Sequence, residues 1–393
     1  MTQPSPTHVL NPALEGFSCI RCDTQLPIGD YFEGCPACLV AGQPSSVRSE
    51  LRSLPETITT SDVRGMVRYA DWLPYTSWVS LGEGATSCVS FPALAANVGI
   101  AKVFIKNEGQ NPSGSHKDRV SCLTVTRALD SGAARIVAAS SGNGGASLAL
   151  YAAAAGLACS IVVTPALSAI HRRAITLTGA DLITVENALE RWYLVKNMVR
   201  NEDCFPATNY LNPPVSSNHF GVEGLKTVAY ELFEDIGSDI VAVLIPTSRG
   251  DLVWGLYEGF RQLVETRLLA RLPKLFVVEP FARLSKVLDG AAQTDSFAGA
   301  TSLFSIGGST VTYQSVEAVR RSGGSAVVVG DAAVSRDAAR LASYGCYAEL
   351  SSAATLTALE VLVQNGTIQR DATVALIATS NGYKDLPSQI DQA

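Results

Sequence analysis

The chain has 393 residues, enough for large buried cores and two or three folding units. Hydrophobic residues make up 47% and charged ones 17%, a globular composition that excludes a disordered chain. The formal net charge is −6 with no long run of Lys or Arg, which excludes nucleic acid and an anionic membrane surface as main partners.

The first twelve residues, MTQPSPTHVLNP, have neither a basic start nor an apolar stretch, so no secretory signal is read and a cytoplasmic location is expected. Next come four of the nine cysteines, as Cys19-x2-Cys22 and Cys35-x2-Cys38 with twelve residues between the pairs. This is the spacing of a tetrahedral four-cysteine zinc site, with Gly34 and Pro36 helping the chain to turn. A relic knuckle without metal and a pair of disulfides are the alternatives; a reducing compartment disfavours the second. With four thiolates and no open position, the expected role of zinc is structural. Arg21 is the chief basic residue nearby, too little for nucleic-acid binding. A polar stretch, 43–61, then links this segment to the body.

From residue 102 the chain alternates strand and helix patterns. Strands are expected at 103–105, 136–139, 160–163, 182–185, 241–245, 275–278, 326–329 and 374–378. Helices are expected between them, at 119–131, 145–155, 168–178, 189–200, 224–235, 252–269, 333–343 and 353–365. Such alternation predicts an α/β fold with parallel sheets covered by helices on both faces. The charge-free run from Ser147 to Ile170 has the length of a membrane span. Gly156 and Pro165 interrupt it, and it reads as a buried helix followed by a buried strand.

In parallel sheets, ligands collect at strand ends where glycine-rich turns open helices. Four segments fit that description. The first runs Glu108-Gly109-Gln110-Asn111-Pro112-Ser113-Gly114-Ser115-His116-Lys117-Asp118-Arg119. Its lysine follows the second glycine by three residues, so it is not a nucleotide P-loop. A lysine at a helix start, with its pKa lowered by desolvation and the helix dipole, can form an imine; a solvated helix-start lysine is the bland alternative.

The second segment is Ser140-Ser141-Gly142-Asn143-Gly144-Gly145, either a plain turn or a loop for a carboxylate or phenolic oxygen. The third, Pro246-Thr247-Ser248-Arg249-Gly250-Asp251, suits a phosphate cup at a helix N-terminus. Asp251 sits uneasily beside a dianion, offset by Arg249 or serving only as a cap. The fourth, Thr379-Ser380-Asn381-Gly382, ends an apolar strand and offers a hydroxyl to a ring nitrogen, or is an ordinary turn.

Together these segments resemble the threonine synthase family of fold-type II pyridoxal-phosphate (PLP) enzymes. The family's Asn-Pro-Thr-Gly-Ser-Phe-Lys-Asp-Arg pattern is matched by Asn111 to Arg119, with Ser113 and His116 as variants. Leu81 to Thr86, Glu223 to Thr227 and the paired cysteines add to the likeness. The resemblance implies a tryptophan synthase β-like fold: a zinc knuckle at 1–46, a large PLP domain of 47–135 and 236–393, and a smaller mobile substrate domain at 136–235. It implies a Schiff base at Lys117, which also serves as general base. Asn143 is implied at the ring hydroxyl, Ser248, Arg249, Gly250, Asp251 and Leu252 at the phosphate, and Thr379 at the pyridine nitrogen. Ser140, Ser141, Gly142 and Gly144 are implied in substrate binding. The implied state is a homodimer acting on a small amino-acid substrate.

The family's grip on a substrate phosphate is altered. Gly144 stands for a Thr, Val215 for an Asn and Gly221 for an Arg, leaving Ser216 and the cation Lys106, with Arg172 or Arg173 as substitutes. Glycine cannot replace a charge-assisted guanidinium contact. The expected chemistry is therefore elimination or replacement at the β or γ carbon, with a leaving group such as phosphate, acyl or sulfonium. His116 and His219 either serve this changed pocket or pack behind it. Threonine synthase proper is the alternative, and a non-catalytic PLP- or zinc-binding regulator is the rival class.

Overall fold

A computed structural model describes residues 8–58, 63–140 and 142–385. The chain forms two compact units, Met1–Gly84 with Lys117–Leu225, and Ala85–His116 with Lys226–Ala393.

The first unit holds a parallel sheet in the order Asp181–Thr184, Ala158–Val163, Arg135–Ala139, Phe205–Pro206. Helices Asp118–Asp130, Asn143–Ala154, Ala169–Thr176 and Ala188–Asn201 accompany it. The charge-free run from Ser147 to Ile170 supplies part of one helix and the buried strand Ala158–Val163, so its apolarity is that of a core. Among the described residues, no helix is long and apolar enough to cross a membrane.

An antiparallel sheet, ordered Gln25–Leu26, Leu14–Cys19, Val47–Leu51, lies in the same unit. Phe17, Cys19, Cys35, Cys38 and Val47 join Leu123, Leu148 and Ile161 in one continuous hydrophobic core. The cysteine segment is therefore packed into this unit rather than strung beside it as a separate bead. The compact units thus divide the chain differently from the expected boundaries, since 47–84 and 117–135 group with 136–225. The physical reason is helix Asp118–Asp130, which packs on Asn143–Ala154 and on His219–Glu223.

The second unit has a six-stranded sheet in the order Ala326–Val328, Lys274–Glu279, Ile240–Pro246, Thr373–Ala378, Lys102–Asn107, Cys88–Ser90. Only the last pair is antiparallel. Every residue of Thr373–Ala378 is buried, as expected for a central parallel strand covered on both faces. All eight expected strands and all eight expected helices are present, with ends shifted by a few residues. The helix Tyr313–Ser322 was not expected, although Val316 and Val319, two basic residues in its last turn and Gly323 after it are ordinary helix signals.

Candidate active site

In the first unit, Lys117 stands at the cap of helix Asp118–Asp130, its carbonyl accepting from Val120 and Ser121 N–H at 3.0 and 2.9 Å. The helix start is braced from the next element. Ser147 Oγ lies 2.6 Å from Asp118 Oδ1 and 2.7 Å from Ser121 Oγ. The second loop runs past the lysine stem: a Cβ built on Gly144 would lie 3.1 Å from Ser140 Oγ and 4.0 Å from Lys117 Cδ. Ser140 Oγ accepts from Gly145 N–H at 2.8 Å, which closes the turn. At Gly145 a Cβ would meet Ile161 Cγ2 at 3.0 Å, so the helix can approach the strand there only without a side chain. Gly142 caps helix Asn143–Ala154, and Ser141 lies outside the described residues.

Asn143 is buried, and its Oδ1 is 3.3 Å from His171 Nε2. Ser168 Oγ sits 2.8 Å from His171 Nδ1 and also accepts from the His171 N–H, capping helix Ala169–Thr176. His171 was not singled out in the sequence, and nothing in its local pattern marks it. It reaches Asn143 across 28 residues of chain.

In the second unit, the run before Lys117 is stapled to the end of strand Thr373–Ala378. Ser115 bridges Ser380, His116 N–H donates to Thr379 O at 3.1 Å, and Ser380 Oγ donates to Gly114 O at 2.8 Å. Thr379 Oγ1 lies 3.0 Å from Ser352 Oγ and 3.3 Å from the buried Glu349 carboxylate. Asp385 has its pKa pushed up to about 7 by burial and then by Glu349. Among the described residues, Ser115 Oγ and Asn381 Oδ1 are buried without a hydrogen-bond partner.

The third segment forms a tight turn between strand Ile240–Pro246 and helix Asp251–Glu265. Gly250 has φ +99°, and a Cβ there would meet Ser315 Cβ at 2.2 Å, so only glycine fits. Thr312 Oγ1 donates to Arg249 O at 2.7 Å, and buried Asp251 faces Gln314 Nε2 at 3.5 Å. Leu252 is buried in the first turn of the helix.

The structure places the remaining candidates as follows. Lys106 is not a spare cation: fully buried, its Nζ contacts Glu231 at 2.8 Å, Asp235 at 3.0 Å and Thr86 O at 2.7 Å, which uses its three donors. Gly221 is a packing position, where a Cβ would lie 2.0 Å from Thr124 Oγ1. Val215 is buried against Gly34, and the Ser216 hydroxyl donates to Ser217 O at 2.6 Å. His219 packs between Phe17 and Phe220 and hydrogen-bonds Gly29 O at 3.0 Å; burial pushes its pKa down to about 4. The His116 ring stands 3.3 Å from Thr379 O, facing backbone.

The Sγ atoms of Cys19, Cys22, Cys35 and Cys38 all lie within 4.8 Å of one another, with three of the residues buried. The Cys19–Cys38 and Cys22–Cys35 separations are 3.6 and 3.7 Å, far beyond a disulfide's ~2.05 Å.

A parallel α/β fold with a helix-start lysine beside a Ser-Gly-Asn loop defines a fold-type II enzyme. The model of the pyridoxal-phosphate dependent enzyme family matches residues 79–380, and the chain belongs to that family. Within it the chain is threonine synthase-like. It is 27% identical to the threonine synthase of Methanocaldococcus jannaschii over 386 residues, 93% of this chain and 92% of that protein. It is 28% identical to that of Methanosarcina acetivorans over 390 residues, 95% and 93% of the two. Among solved structures, maize serine racemase matches with a TM-score of 0.66 and 21% identity over 78% of this chain and 91% of that one. The L-serine ammonia-lyase of Rhizomucor miehei gives 0.66 and 20%, over 78% and 96%.

Proposed function

We propose that this enzyme removes or replaces a leaving group on the β or γ carbon of an amino acid. The observation that carries the reading is the stem of Lys117 running beside the second loop, where a Cβ on Gly144 would lie 4.0 Å from Lys117 Cδ, in ordinary contact. PLP, when bound, supplies an electron sink for the substrate's α-carbon. By chemistry, the first unit would offer Lys117 for covalent attachment and Asn143 for the ring oxygen; the second would offer Ser248, Arg249, Gly250, Asp251 and Leu252 for the phosphate and Thr379 for the ring nitrogen.

Lys117 Nζ would then remove and return the α-proton. Ser140 and Ser141, with the N–H groups of Gly142 and Gly144, would hold the substrate carboxylate, with Ser216 behind. The Thr379 hydroxyl, within reach of Ser352 Oγ and the Glu349 carboxylate, would turn its O–H to donate to the ring nitrogen. The relatives, named threonine synthases over more than nine-tenths of their lengths, favour a second reading, conversion of O-phosphohomoserine to threonine. With Lys106 committed elsewhere and no hydroxyl at position 144, we place O-phosphohomoserine second.

The four-cysteine cluster supports a structural zinc. A tetrahedral site with Zn–S bonds of ~2.3 Å has sulfur–sulfur edges of about 3.8 Å, close to the separations observed.

Steady-state assays with O-phosphohomoserine, O-phosphoserine, an O-acyl amino acid and S-adenosylmethionine test the substrate. The expected result is leaving-group release from one of the last three, with a specificity constant for O-phosphohomoserine below about 10⁴ M⁻¹s⁻¹, the lower end for ordinary enzymes. A higher value would establish the second reading instead.

A further inference from the structure

Arg283 is one of the most buried side chains of the protein, 1% exposed, and no sequence pattern points to it. It follows strand Lys274–Glu279, within the same unit as the phosphate cup. Its guanidinium donates to the carbonyls of the two residues at the root of the cup, to Thr247 O at 2.8 Å and to Ser248 O at 3.3 Å. A third bond goes to Gly308 O. Gly308 is itself pressed on the cup, since a Cβ there would lie 2.7 Å from Ser248 Oγ.

Peptide geometry turns these contacts into a statement about the other side of the turn. In a planar trans peptide, C=O and the following N–H point in opposite directions. With Thr247 O and Ser248 O drawn toward Arg283, the N–H groups of Ser248 and Arg249 face away from it. Thr312 does the same for the next peptide by donating to Arg249 O, which turns the Gly250 N–H. Three consecutive peptides are thus held at their carbonyl ends, the arrangement that an anion-binding nest of the following N–H groups requires. A cation on the carbonyl end of a peptide also polarises it and strengthens the N–H donor.

The Glu279 carboxylate does not compete for this geometry. It accepts from the N–H groups of Arg283, Leu284 and Ser285 and from Ser285 Oγ, and stands 3.6 Å from Arg283 Nε. The guanidinium forks remain on the carbonyls.

We infer that Arg283 is a positioning residue for phosphate recognition, holding the 247–250 turn from behind so that its N–H groups converge on the phosphate of PLP. The inference rests on the proposed reading that this turn holds that phosphate. A merely structural arginine would affect every ligand alike; a phosphate-positioning one acts only on ligands that carry a phosphate.

The test uses full-length protein stripped of cofactor and titrated separately with PLP and with pyridoxal, which lacks the phosphate, following visible absorbance. Circular dichroism confirms the fold of each variant. In R283M the apparent Kd for PLP rises about tenfold or more, the scale of losing charge-assisted hydrogen bonds, while that for pyridoxal changes less than about twofold. R283K, which keeps the charge without the fork, falls between, and R283Q gives a second neutral variant should R283M fail to fold. Unchanged PLP affinity, or parallel loss of PLP and pyridoxal, overturns the inference. S248D separates the two levels. If the added charge leaves PLP affinity intact, the cup reading itself fails; if it weakens PLP while the Arg283 variants do not, only the role of Arg283 fails.

Discussion

His219 shows how a single residue ties burial to pH. Its Nε2–H is spent on Gly29 O, its Nδ1 is buried without a partner, and the ring sits against Phe17, Tyr31 and Phe220. A charged imidazolium would lose hydration there, and the attraction of Asp30 and Glu223 is opposed by Arg127. The folded protein therefore keeps His219 neutral down to about pH 4, while the unfolded chain binds a proton near pH 6.5. Stability from this residue is fully present above pH 6.5 and is lost as pH falls toward 4, by up to about 3 kcal/mol. Urea unfolding at pH 7 and pH 4.5 should show a smaller acid loss for His219→Phe than for the parent. Equal losses would mean the imidazole is not the linked group.

The same scale shows what sequence can and cannot reveal. Lys117, Gly250 and Asn143 stand out because glycines and polar residues cluster at strand ends, a local signal. The residues that brace them do not. Arg283 acts on Ser248 from 35 positions away, Glu349 on Thr379 from 30 and His171 on Asn143 from 28. Gly221 illustrates the reverse error. Matched to a family pattern it suggests a missing arginine, but its backbone lies against Thr124, a constraint visible only after folding.

At the scale of elements, the N-terminal knuckle is the part whose stability is most open to test. Its strands are short, and the sulfur cluster lies inside the same core that holds Leu123 and Ile161. Cys19 Sγ accepts from the N–H groups of Arg21 and Cys22 at 3.4 and 3.5 Å, which turns the first pair around its sulfur. The spacing of the cysteines makes the site legible in the sequence. Its incorporation in the core is not, because partners such as Leu123, Leu148 and Ile161 lie far along the chain. Elemental analysis of protein purified without chelator should give about one zinc per chain. Stripping it should lower the unfolding temperature more than it lowers turnover per folded molecule. Protein that is metal-free and equally stable would make the knuckle a relic.

For the whole molecule, the alternation of strands and helices carries the fold class, and the order of four strand-end motifs carries the family. The division into compact units is not written in that alternation. It follows from helix Asp118–Asp130, whose contacts place it with the first unit although its preceding residues belong to the second. Lys117 is the first residue after that crossing, at the point where one unit's chain becomes the other's.

Lys117 is proposed to hold PLP and to drive loss of a leaving group from an amino acid. Purified parent protein and Lys117→Ala should be compared by visible absorbance while candidate amino acids are added and leaving-group release is followed in the same sample. The parent should be yellow, shift its spectrum with one substrate class and release its leaving group; Lys117→Ala should lack the parent band and release nothing. An unchanged visible spectrum in Lys117→Ala, or a parent whose spectrum shifts with no leaving group released, would contradict the claim.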